Sequence, residues 1–206
     1  MQQELEQMLK FLRLYYNYFL VKWGFRKVLP AYFINRIEVA DCGEEIVQYQ
    51  NAWVRKRVAV MLDNAQRSLP PHFALKVVSG YRDESEQKSL QQKFFDSRQV
   101  AIESGHSTGG AVDVILLYCG KEIDCGGKYL EFTSSTPTWS KELTSLQKRC
   151  RFILYDTMTA AGFINYPLEW WHFCYGDKMY AAYKFEKKAI YGKATISWQP
   201  DLFKTE

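Results

Sequence analysis

Only three of the 206 residues are histidine, and two of them stand in unusual company. The first belongs to Ser104-Gly-His106-Ser-Thr-Gly109-Gly110-Ala-Val-Asp113, which runs on into Val-Ile-Leu-Leu. Asp113 falls inside an apolar strand pattern, where an unpaired carboxylate is costly to bury. It needs a cation, a donor cluster or a metal. Gly109 and Gly110 let the backbone turn sharply, so that His106 can fold back towards Asp113. Along a straight strand the odd offset would send the two side chains to opposite faces. The second context is Pro167-Leu-Glu169-Trp-Trp-His172-Phe-Cys174. A strand would point Glu169 and His172 apart, but a bend after Pro167 lets both serve one site. Each residue also has an ordinary structural alternative: a satisfied core Asp, a loop His, a Glu capping a turn, a His buried against Trp.

Taken together, His106, Asp113 and His172 are three N/O ligands that leave a fourth position open. That set suits a catalytic zinc, because structural zinc sites are usually closed by four protein ligands, mostly Cys. Zinc acts as a Lewis acid and lowers the pKa of its water towards about 7. Glu169 beside that water could take its proton and hand it to a leaving amine. Arg82, in Ser79-Gly-Tyr81-Arg82, is always charged and could stabilise an oxyanion; its alternative is a salt bridge to Asp83 or Glu86.

These residues need a scaffold. Residues 44–67 read as a helix with apolar Ile46, Val47, Val54, Val58, Met61 and Leu62. Pro70-Pro71 stops it. Phe73 to Val78 is strand-like, and Asp83 to Val100 helical with Asp83 or Ser85 as N-cap. Ala111 to Tyr118 is a strand, 119–140 turn-rich, and 141–161 a helix ending near Gly162. Tyr166 to Tyr175 is aromatic and strand-like, and Lys178 to Lys193 mixed. Helices and strands do not alternate as β-α-β units, so the expected class is α+β. Leu5, Met8, Leu9, Leu12 and Tyr16 recur at helical spacing. The division expected is therefore a helical segment over 1–40, packed on a single domain over 41–206.

Composition fits a globular chain, with 47% apolar, 16% aromatic and 24% charged residues, which excludes disorder. The net charge is +4, and residues 1–30 hold five Lys/Arg against two Glu, so the remainder is near neutral. No basic stripe interleaved with aromatics crosses the body, which argues against nucleic acid as partner. The longest uncharged N-terminal stretch, Leu14 to Val21, is far short of a membrane span. It lacks a small-residue cleavage site and follows two Glu residues. A cytoplasmic protein is expected, in preference to a periplasmic or membrane-associated one. The five cysteines form no C-x-x-C pair and read as buried thiols of a reducing compartment.

With its motifs in this order, the chain resembles the D-alanyl-D-alanine dipeptidase family of zinc peptidases, relatives of the D,D-carboxypeptidases. Ser104 to Asp113 matches S-x-H-x-x-G-x-A-x-D, Glu169 to His172 matches E-x-x-H with its tryptophans, and Ser79 to Arg82 matches the segment bearing the family's transition-state arginine. Further matches at Ala160 to Phe163, Tyr175 to Asp177 and Ala189 to Gly192 extend it over about 45–195. The resemblance implies one Zn2+ per chain on His106, Asp113 and His172, with Glu169 as general base and acid and Arg82 as transition-state stabiliser. Ser104, Tyr81 and Glu131 are the substrate contacts it suggests. It implies hydrolysis of D-Ala-D-Ala to two D-alanines and a D,D-peptidase-like α+β fold, an antiparallel or mixed central sheet flanked by helices. One departure bears on the substrate. Where the family has a Met-Gly-Thr-like turn followed by Phe-Asp, the Asp meeting the dipeptide's ammonium, this chain reads Asp124-Cys-Gly-Gly127-Lys-Tyr-Leu-Glu131-Phe132. Glu131 would have to replace that Asp, Asp124 being the other candidate; otherwise the pocket would take longer, N-blocked peptides, as in a D,D-carboxypeptidase or murein endopeptidase. From another class comes a non-catalytic binding module stabilised by zinc. Cys174, two residues past His172, shares its face on a strand and is expected to be an ordinary core cysteine.

Overall fold

The computed structural model describes residues 34–93 and 104–196. Its centre is a five-stranded antiparallel sheet of β4 (Phe73–Ser79), β5 (Ala111–Tyr118), β6 (Lys121–Glu122), β7 (Ile164–Asn165) and β8 (His172–Cys174). The order is β4-β5-β8-β7, with β6 pairing β5 as a hairpin. Ala111 to Leu116 of β5 are buried without a break, wherever they point, so both faces of this strand are covered. On one face Val114 and Leu116, with Leu75 and Val77 of β4, enter the main core. Helix α1 (Lys56–Ser68) brings Val58, Met61, Leu62 and Ala65 to that core. A later helix, Ser145–Ala160, brings Leu154 and Met158. The other face carries Asp113 and the chemistry.

The α+β class and the β5 strand agree with expectation, and so do the turn-rich 119–140 and the helix that ends before Gly162. Residues 44–67 do not form one helix. Their first half is a hairpin, β2 (Ile46–Tyr49) and β3 (Ala52–Arg55), with Val47 opposite Val54. Gln50 at the tip adopts φ 50°, and β-branched Ile46, Val47 and Val54 suit the pleat. Only Lys56 onward is helical. The strand expected over 166–175 is reduced to β8, because Tyr166 to Trp171 form a turn in which Tyr166 O accepts from Glu169 N.

Helix α2 (Glu84–Lys93) follows Asp83, whose Oδ1 accepts from the Ser85 and Glu86 amides as an N-cap. Residues 94–100 of the expected helix lie outside the described residues. The helix Ser145–Ala160, α3, opens on a capping box of Thr144 and Gln147. Asp177 caps the short α4 (Lys178–Lys184). Strands β1 (Glu38–Val39) and β9 (Lys188–Ala189) pair in parallel. The rest of the expected 1–40 helical segment, residues 1–33, lies outside the described residues. All five cysteines are free thiols. Cys125, Cys150 and Cys174 are buried as expected, but Cys42 and Cys119 are exposed, each in a surface loop between strands. Among the described residues no helix is long and apolar enough to cross a membrane.

Candidate metal centre

The site is set by register. Antiparallel pairing puts His172 of β8 directly opposite Asp113 of β5, and Ser79 of β4 opposite Asp113 on its other side. Facing residues share one face of the sheet, so three strands present a row of polar side chains there. His106 arrives from a 3-10 turn, Gly105–Thr108, just before β5. Ser104 caps that turn with its hydroxyl on the His106 amide, and Gly109 leaves it at φ 72°, which favours glycine. Gly110 lies so close to β8 that a Cβ there would stand 2.4 Å from the Tyr175 carbonyl oxygen. Arg55, itself buried, holds the turn from outside: its amide donates to Gly109 O at 2.9 Å and its Nε to Thr108 O at 2.7 Å.

Three atoms converge. His106 Nε2 lies 3.2 Å from His172 Nδ1, and Asp113 Oδ1 lies 3.0 Å from His172 Nδ1 and 3.3 Å from His106 Nε2. Four-coordinate tetrahedral zinc with bonds of about 2.0–2.1 Å needs ligand atoms about 3.3 Å apart. The triangle therefore fits one face of a tetrahedron. The tautomer fits as well: His106 Nδ1 lies 2.6 Å from Gly80 O, which can only accept, so Nδ1 carries the hydrogen and Nε2 keeps its lone pair for a cation. These three residues, all buried, form a group able to hold a metal ion.

The surroundings tune each group. Burial, helped by the charges of Arg82 and His172, outweighs the pull of Asp113 and lowers His106 to about 4, so it is neutral at pH 7. For Asp113 burial acts upward, but His106 and Arg82 outweigh it and hold the carboxyl well below the usual range. Burial acts downward on His172, yet its hydrogen bond and charge contact with Asp113 raise it. Glu169 sits at the edge, its Oε2 3.9 Å from His172 Nδ1, and burial pushes it up to about 7. The turn expected at Pro167 is what brings it there, with His172 N donating to Glu169 O at 3.2 Å.

Asp113 uses its second oxygen differently. Oδ2 accepts from Arg82 Nη2 at 2.5 Å and from the Tyr129 hydroxyl at 3.0 Å. Arg82 is fixed further by Nε on Ser79 Oγ at 2.9 Å; the alternative partners Asp83 and Glu86 do not take it. The other expected contacts make their hydrogen bonds outside the three-atom triangle. The Tyr81 hydroxyl donates to Ala194 O at 3.0 Å. Ser104 is occupied in its cap. Glu131 is exposed, its carboxylate accepting from Lys128 N within its own turn. Asp124 accepts from Gly126 N and Gln147 Nε2. The Cys174 thiol is pushed far up by burial and by neighbouring Asp177, and it is not part of the metal-capable group.

Two functional-looking residues have no counterpart in the sequence reading. Tyr129 comes from the irregular 119–140 segment, where no periodicity marks it. Arg151, 1% exposed, extends from α3 to five carbonyl oxygens, those of Cys125, Gly126, Ser135, Pro137 and Thr138. It thereby fixes the segment that carries Tyr129. A signal existed for Arg151: it shares the buried stripe with Leu154, Tyr155 and Met158, and a charge on an apolar stripe calls for partners.

Residues 71–190 match the family model described as D-ala-D-ala dipeptidase, more than half of the chain. The chain belongs to this family. A D-alanyl-D-alanine dipeptidase of Synechocystis is 38% identical over 89 residues, 37% of this chain and 36% of that protein. One from Escherichia coli is 30% identical over 103 residues, 48% of this chain and 53% of that protein. The matched segments thus span about a third to a half of these relatives. Among solved structures, a vancomycin-resistance D,D-pentapeptidase, VanY, in complex with Zn(II), is similar at 19% identity and a TM-score of 0.45, over 72% of this chain and 87% of that one.

Proposed function

We propose that this protein is a zinc-dependent peptidase that hydrolyses D-alanyl-D-alanine to two D-alanines, with one zinc per chain on His106, Asp113 and His172. The observation that carries it is the triangle of His106 Nε2, Asp113 Oδ1 and His172 Nδ1 with 3.0–3.3 Å edges, in a chain of the D-ala-D-ala dipeptidase family. Zinc held there supplies a Lewis acid that polarises a peptide carbonyl and acidifies a water. Glu169, pushed up to about 7 by burial, is poised to accept a proton from the attacking water near neutral pH and return it to the leaving nitrogen. Arg82 places a permanent cation at the edge of the cluster, where an oxyanion can draw on it. The fold keeps both groups largely from water, with Arg82 at 12% and Glu169 at 15% side-chain exposure, which strengthens their electrostatic action.

The experiment is hydrolysis of D-Ala-D-Ala by the zinc-loaded protein beside its Glu169→Ala variant. The expected result is retained zinc with activity lower by about 10³-fold or more. A zinc-loaded wild type that cleaves no D,D-peptide at all would leave a zinc-stabilised binding module instead. One observation favours a second substrate reading, a D,D-carboxypeptidase or endopeptidase acting on longer cell-wall peptides. Glu131 is exposed, and its Oε2 accepts from Lys128 N within its own turn, an engagement that competes with a dipeptide's free ammonium. Comparing free D-Ala-D-Ala with its N-acylated form decides between the two, and faster cleavage of the blocked peptide selects the second.

A further inference from the structure

We propose that Tyr129 is a positioning residue for the metal centre: its hydroxyl fixes the Asp113 carboxylate so that one oxygen faces the cation, and it holds that orientation when Arg82 turns to substrate. The inference rests on the metal-site reading above. A carboxylate has two oxygens and can rotate between them, and a monodentate ligand must be prevented from doing so. Here the two oxygens are separated by their partners. Oδ1 faces the two imidazole nitrogens, at 3.0 and 3.3 Å. Oδ2 takes two donors from outside, Arg82 Nη2 at 2.5 Å and the Tyr129 hydroxyl at 3.0 Å. Outer donors of this kind orient a ligand and commonly govern 10- to 100-fold in metal affinity or activity.

The two donors are not equivalent. Arg82 lies at the edge of the cluster and is the cation an oxyanion would call on, so its bond to Asp113 has to be given up or shared during turnover. Tyr129 has no such second duty. Its ring packs edge-on against buried Trp171, centroids 5.7 Å apart, and its segment is tied down by the five carbonyl bonds of Arg151. Arg82 Nη2 also lies 3.2 Å from the Tyr129 oxygen, so the phenol can accept from Arg82 while it donates to Asp113. Tyr129 thus keeps Oδ2 satisfied whichever way the guanidinium points.

The test measures zinc affinity of the full chain by competition with a chromophoric chelator, for wild type, Tyr129→Phe, Arg82→Met and the double variant. Phenylalanine keeps the ring against Trp171 and removes only the hydroxyl. The expected result is a loss of about 10-fold for Tyr129→Phe, and a larger loss when the same change is made beside Arg82→Met, since neither donor then remains. The metal-free melting temperature of Tyr129→Phe should stay within about 2 °C of wild type, below the shift expected from 1 kcal/mol in a chain of this size. Affinities within twofold of the parent in both backgrounds would overturn the proposal. So would a fall in affinity matched by an equal loss of metal-free stability, because Tyr129 would then serve the fold alone. A wild type that binds no zinc is a different failure, that of the metal-site reading itself.

Discussion

Glu169 is a buried carboxyl whose proton balance changes on folding. Burial lifts its carboxyl from 4.5 to about 7, so between those values the folded protein holds a proton that the unfolded chain has released. Stability then falls as pH rises through that window. In the metal-free protein this component should amount to a few kcal/mol between pH 4.5 and 7. The Glu169→Gln variant lacks it, so urea unfolding of both proteins across that range should show the wild type losing stability relative to the variant. Parallel curves would show that the carboxyl is not held neutral. Asp113, His172 and Glu169 were legible in the sequence because each is a polar group in or beside an apolar run, a conflict that demands a partner, and His106 because the Gly109-Gly110 turn joins it to Asp113. Tyr129 was not: a tyrosine in a turn-rich segment violates no pattern, and only the fold brings its hydroxyl to Asp113.

Elements deliver those residues through a few close approaches, and the prediction at this scale concerns them. Arg151 binds five carbonyls from one helix position, and replacing it by Met would leave all five without that donor. Arg151→Met is expected to destabilise the protein by about 3 kcal/mol or more, read from the denaturant midpoint at constant m-value. Gly110→Ala meets the Tyr175 carbonyl oxygen at 2.4 Å, a contact with backbone that cannot swing aside. It should cost about 1–3 kcal/mol and weaken zinc binding as β5 and β8 move apart. Element types were readable where periodicity was unambiguous, as in β5 and α3. They were misread over 46–55 because Val47 and Val54 lie seven apart, which mimics two helical turns. The pairing of those two valines across a hairpin depends on the turn at Gln50, a residue with no strong turn signal of its own.

For the whole molecule, the α+β class followed from the absence of alternation between helices and strands. The parallel pairing of β1 with β9 did not, since it joins segments near opposite ends of the described chain and leaves no local trace. The metal-capable group likewise draws on two separate stretches, 106–113 and 172. A cation binding only the folded state adds about 4 kcal/mol at a thousand times its Kd. Stripping zinc with a chelator should therefore lower Tm by on the order of 10 °C, measured by thermal unfolding with and without added zinc. An unchanged Tm would mean that no ion is held in the folded state. The short pairing of β5 with β8 gives such an ion one more role. These strands pair over Ala111 to Asp113 and His172 to Cys174, flanked by the bonds from Tyr175 N to Gly110 O and from Val114 N to Trp171 O, a short ladder whose register decides the site. A slip of one residue would set Phe173 against Asp113 and turn His172 to the opposite face. No cation could then be gripped by both strands, so an ion bound as proposed would act as a proofreader, rewarding only the chain whose strands have met in the right frame.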